Sequence, residues 1–147
     1  METIVVGVDG SECAHRALLF AAEEAVFRQA ALRVVCAWTL PVSVNVAGGL
    51  GPLDSSVVTA FRDAARKTVD EAVAEVRRRQ PHLEVVGRVV NDQPAKAIID
   101  QARGATLAVV GSRGRGGFAS LLLGSVSRET VEHAPCPVVV IRGSGHA

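Results

Sequence analysis

A chain of 147 residues is long enough for one compact domain that holds together without disulfides or a structural metal. Hydrophobic residues are 48% of it and charged residues 21%, which excludes a disordered or fibrous chain, and the net charge of +1 gives no field to gather nucleic acid or an anionic membrane. With aromatics at 3% and no Tyr, the core must be built from Val, Leu, Ile and Ala, which favours a helix-covered parallel sheet over a sandwich.

In chain order, the run Thr3 to Val8 is continuous, apolar and β-branched, and Asp9-Gly10-Ser11 ends it, as expected of a strand buried on both faces. Ser11 is a helix-capping residue, and Ala14, Ala17, Leu18, Ala21 and Ala25 recur at helical spacing, predicting a helix of about 17 residues. Leu32 to Thr39 reads as a second strand. Leu40 to Asp54, punctuated by Pro41, Gly48, Gly49, Gly51 and Pro52, reads as a long loop. Val58, Phe61, Ala65, Val69, Ala72 and Val76 form one apolar stripe on a helix from Ser55 to Arg79, which Pro81 stops.

Leu83 to Val90 is the third predicted strand, Pro94 opens a short helix, and Leu107 to Val110 is the fourth strand, ending at Gly111. A loop rich in Gly and Arg follows. Ser125 to His133 fits a last helix and Pro137 to Arg142 a fifth strand. Strands alternating with helices imply one α/β domain spanning residues 1–147, an open doubly wound five-stranded parallel sheet in the order 3-2-1-4-5 with helices on both faces. In such sheets a ligand sits beyond the carboxyl ends of the strands where the winding reverses, here between strands one and four. The segments Gly7-Val8-Asp9-Gly10-Ser11 and Gly111-Ser112-Arg113-Gly114 converge on that point.

From Gly111 the chain reads GSRGRGGFASLLLGSVS. Glycines let backbone amides approach a bulky anion, and Ser125 and Ser127 open a helix whose first amides are unpaired and whose dipole is positive. Their hydroxyls add donors for the same anion, and Arg113 and Arg115 can supply compensating charge. A Walker A loop is excluded because the only lysines, Lys67 and Lys96, stand beside no glycine. The dinucleotide fingerprint fails as well: after strand one the chain reads Gly7-Val8-Asp9-Gly10, and Gly114-Arg115-Gly116 is followed by Ala119 at the last glycine position.

The spacing Gly111-x2-Gly114-x9-Gly124-Ser125, with the opening IVVGVDGS and the closing CPVVVIR, resembles the ATP-binding branch of the universal stress protein family across essentially the whole chain. The resemblance implies an ATP-binding α/β fold, often dimeric, with a role in stress survival and no strong catalytic activity. Carried over residue by residue, Gly7, Val8 and Asp9 match the segment that contacts adenosine, and Ala37 lines the adenine pocket. Gly111 and Gly114, with Ser112, Arg113 and Arg115 beside them, match the phosphate loop, while Gly124, Ser125, Val126 and Ser127 match the segment gripping the phosphates. The implied ligand is ATP, with or without magnesium.

Asp9 is the acid at the mouth of this cleft, suited to a nucleotide hydrogen bond or to a divalent ion, although an Asp between strand and helix is often a cap. The histidines show no ligand spacing and GxSxG is absent, so neither a zinc site nor a serine triad is expected. Arg77-Arg78-Arg79 reads as solvated charge at a helix end. Trp38 is expected to pack beneath the long loop. The cysteines Cys13, Cys36 and Cys136 read as buried small hydrophobes in a reducing compartment, and with no signal peptide visible the cytoplasm is the expected location. An apolar last strand at the sheet edge leads to the expectation of a homodimer through Val138–Arg142. Function through a nucleotide-dependent state read by protein partners is expected, and a slow ATPase or nucleotidyl transferase in the same cleft is the alternative.

Overall fold

The computed structural model describes residues 1–40, 55–114 and 122–143. Their elements are β1 (Thr3–Gly7), α1 (Glu12–Arg28), β2 (Ala31–Trp38), α2 (Ser55–Arg79), β3 (Val85–Asn91), α3 (Pro94–Gln101), β4 (Leu107–Gly111), α4 (Ser125–His133) and β5 (Val138–Ile141). The five strands form one parallel sheet in the order β3-β2-β1-β4-β5, as expected. The loop expected after Leu40 lies outside the described residues.

β1 is central, with Ile4 beside both Leu32 and Leu107. Its alternate side chains serve two faces. Ile4 and Val6 join a large core under α1 and α2 with Leu18, Leu32, Val34, Val69, Val76 and Val109, whereas Val5 points the other way to Val35 and Ala97 under α3. A strand buried on both sides has no polar alternation, which is why β1 reads as an unbroken apolar run. Ile4, Val5 and Val6 are all fully buried, each worth about 1.5–3 kcal/mol of transfer free energy.

The turn from β1 into α1 needs one backbone reversal, and Gly10 supplies it with φ 84°. Ser11 then caps α1, its Oγ accepting from Ala14 N–H at 3.2 Å. β3 begins two residues later than expected, because Leu83 closes a turn with its N–H donating to Gln80 O while its side chain still reaches the core. Cys13 and Cys36 are buried, but Cys136 is only half-buried, and burial pushes its thiol pKa up. Trp38 packs against the large core. No helix among the described residues is long and apolar enough to cross a membrane.

Candidate functional site

A cleft of about 420 Å³ opens at the carboxyl ends of β1 and β4, at the reversal of winding. One end of it is apolar, formed by Val8, Val35, Ala37, Pro94, Ile98 and Val110. The other is polar, formed by Asp9, Ser11, Arg113, Gly114 and the start of α4. Its size falls in the range of small-molecule sites, and the division suits a ligand with a flat apolar head and an anionic tail.

The turn after β1 is closed by side-chain hydrogen bonds. Asp9 Oδ1 accepts from Ser11 N–H at 2.9 Å, one residue pair before Ser11 itself caps α1. Its Oδ2 leans across to the segment after β4, lying 2.6 Å from where a Cβ on Gly114 would stand. Asp9 is thus both a turn-forming residue and the acidic side chain of the cleft wall. Gly111 is glycine for a different reason from the one its sequence context implies: a Cβ there would come within 2.7 Å of Cys13 Cβ and 2.8 Å of Cys13 carbonyl carbon. Helix α1 rests directly on it.

α4 begins at Gly124, an N-cap with φ −77° and no side chain to satisfy the helix's first donors. The first intrahelical bond runs from Arg128 N–H to Gly124 O at 3.0 Å, so the amides of Ser125, Val126 and Ser127 precede the ladder at the positive end of the dipole. All three residues line the cleft. A Cβ on Gly124 would sit 3.8 Å from Gly114 N, between the two amide-bearing segments, so its absence leaves that space open to an anion. These features fit a phosphate group at this end.

Most residues expected from the sequence meet here: Gly7, Val8, Asp9, Ala37, Gly111, Arg113, Gly114, Gly124, Ser125, Val126 and Ser127. Ser112 does not. It is 2% exposed, its Oγ lies 3.9 Å from Cys13 Sγ, its N–H donates to Ile141 O at 2.8 Å, and its O accepts from Gly124 N–H at 2.7 Å. Ser112 follows the end of β4 at Gly111, where strand alternation no longer holds, and its side chain lies against Cys13 of α1 instead of on the face that Val110 gives to the cleft. Ser127 reaches the cleft, but its hydroxyl is not a spare donor, since it donates to Ser112 O at 2.9 Å and Gly124 O at 3.1 Å. Arg115 lies outside the described residues.

Sequence reasoning missed Val35, Pro94, Ile98 and Val110 as wall residues. The signal was topological: Val35 pairs with Gly7 at the carboxyl end of β1, Val110 lies near the carboxyl end of β4, and Pro94 opens the helix that covers them. Ile98 Cδ1 comes 2.5 Å from a Cβ position on Gly7, so Gly7 lets α3 close the cleft floor. Elsewhere, His15 Nε2 meets Glu75 at 2.8 Å on the outside of α1 and α2. Among the described residues no three His, Cys, Asp or Glu side chains converge as a metal site.

Comparison with known proteins agrees with this geometry. The profile of the universal stress protein family matches residues 1–142. A universal stress protein of Mycobacterium tuberculosis is 36% identical over 141 residues, covering 96% of this chain and 45% of that protein. The chain therefore spans less than half the length of that relative. Among solved structures, the universal stress protein UspA of Lactobacillus plantarum superposes with a TM-score of 0.69 at 27% identity, covering 96% of this chain and 97% of that one. The universal stress protein of Archaeoglobus fulgidus in complex with dAMP does so with a TM-score of 0.66 at 30% identity, covering 96% and 98%. Sheet order, the cleft at the winding reversal, the glycine spacing and the profile match agree, and the chain belongs to the universal stress protein family.

Proposed function

We propose that this chain is an ATP-binding regulatory protein of stress response, acting through its nucleotide-dependent state and protein partners. The observation that carries the reading is the division of the cleft, with an apolar end lined by Val8, Ala37 and Ile98 and a polar end where Gly114 faces the uncapped amides of Ser125, Val126 and Ser127. A related universal stress protein solved with dAMP supports an adenine nucleotide in the same family position.

In this reading Val8, Ala37 and Ile98 enclose the base. The start of α4 and Gly114 hold the phosphates, and Arg113 offsets their charge. Asp9, at the polar end, is placed to hold a divalent ion accompanying them. Magnesium would supply further charge neutralisation at the phosphates. Turnover is proposed to be at most slow hydrolysis, because phosphoryl transfer needs an oriented nucleophile and Asp9 already spends one oxygen on Ser11 N–H. The protein is proposed to act in the cytoplasm and as a homodimer through the β5 edge, Val138–Arg142.

The test is a melting titration with ATP, with and without magnesium, on protein first stripped of ligand, and the acid-released ligand is chromatographed. A nucleotide at 100 times its Kd should add roughly 2.7 kcal/mol of stability. A melting temperature flat to millimolar ATP would defeat the proposal, and recovered ADP or AMP would move it toward an enzyme.

A further inference from the structure

We infer that Ser127 is a positioning residue of the phosphate end: its hydroxyl fastens the neck of the glycine segment and makes no direct phosphate contact. The inference rests on the nucleotide-binding reading above. Ser127 is 2% exposed, and a hydroxyl carries one proton. That proton is shared between Ser112 O at 2.9 Å and Gly124 O at 3.1 Å.

Ser112 O in turn receives both Ser127 Oγ and Gly124 N–H, the latter at 2.7 Å, which uses its two lone pairs. Ser112 N–H holds Ile141 O of β5 at 2.8 Å. Residues 112 and 124, far apart along the chain, are therefore tied to each other, to the first turn of α4 and to the edge strand. This knot sets where Gly124 and the amides of Ser125 and Val126 stand relative to Gly114, whose N lies 3.8 Å from the Cβ position of Gly124. A phosphate held by preorganised amides loses affinity when their spacing loosens, whereas a nucleoside without phosphates does not sense it.

The experiment compares wild type, Ser127→Ala and Ser127→Thr. NMR-detected hydrogen exchange of the Gly124 amide is read without nucleotide, and ATP and adenosine affinities are read by calorimetry. Threonine keeps the oxygen and can make the same i−3 bond. The expected result for Ser127→Ala is Gly124 exchange roughly tenfold faster, ATP roughly tenfold weaker and adenosine unchanged, with Ser127→Thr close to wild type. Unchanged Gly124 exchange with weakened ATP would make the hydroxyl a direct ligand and overturn the inference. Equal losses for ATP and adenosine would overturn it as well. Wild type that binds neither compound would sink the nucleotide reading instead, while the exchange measurement would still decide whether the knot exists.

Discussion

At the level of single residues, the glycine spacing marked the wall of the cleft without saying what each glycine does. Gly111 and Gly124 open and close the motif, yet one lies directly against a helix and the other leaves space beside Gly114 N. Gly111→Ala should destabilise the fold by about 1–3 kcal/mol or more, since it meets main-chain atoms of Cys13 that cannot swing aside. Gly124→Ala should leave stability within about 1 kcal/mol, because φ −77° suits alanine and its nearest contacts begin at 3.5 Å. It should nevertheless weaken ATP roughly tenfold by covering Gly114 N–H. Denaturant melts paired with calorimetric titration separate the two, and a Gly124→Ala protein of wild-type affinity would contradict the open cradle. Ser112 and Ser127 were legible only as residue types. Which way each hydroxyl points depends on how the chain turns after β4 and on the Cys13 thiol and the carbonyls of Ser112 and Gly124 that the fold brings to them, and neither can be read from spacing.

At the level of elements, helices were the most legible part. The apolar stripe ending before Pro81 gives α2 its bounds Ser55–Arg79, and Gly124 and Ala134 bracket α4. β3 was less so, because an apolar Leu83 in a turn looks the same as a strand residue. The end of α1 is held by Gln29 in the left-handed region at φ 57°, with its N–H on Val26 O at 3.2 Å and Ala30 N–H on Ala25 O at 2.8 Å. Gln29→Gly should therefore raise stability by about 0.5–1 kcal/mol in urea unfolding, against the usual effect of glycine. α1 and α2 are also joined by His15 and Glu75. The hydrogen bond from His15 holds the Glu75 carboxyl below the usual glutamate range, with Arg79 adding to the effect and burial opposing it. A depressed folded value means the contribution is complete above the ordinary glutamate pKa and lost as pH falls through the folded one. His15→Ala should thus shift the acid-unfolding midpoint upward. An unchanged midpoint would show that the pair contributes nothing.

At the level of the whole molecule, the order 3-2-1-4-5 followed from alternation of strand and helix, and it leaves β3 and β5 as edges. Pro137 O and Ile141 O accept from Ala108 N–H of β4 and from Ser112 N–H just after it, so alternation turns the Val140 N–H outward. If copies associate along this edge, Val140→Pro should give a monomer by light scattering with the fold kept, because it removes a donor that β4 does not use. An unaltered dimer would place the contact elsewhere. Parallel strands also send the first and the last described residues to opposite poles: Met1, 90% exposed, precedes β1 far from the cleft, whereas Gly143 follows β5 with Arg113 Nη2 and Cys13 Sγ each 3.2 Å from its Cβ position. A dye coupled at Gly143 would accordingly sense the guanidinium that borders the cleft and, if the proposed nucleotide binds there, change its emission on loading, while the same dye at Met1 would serve as the silent control.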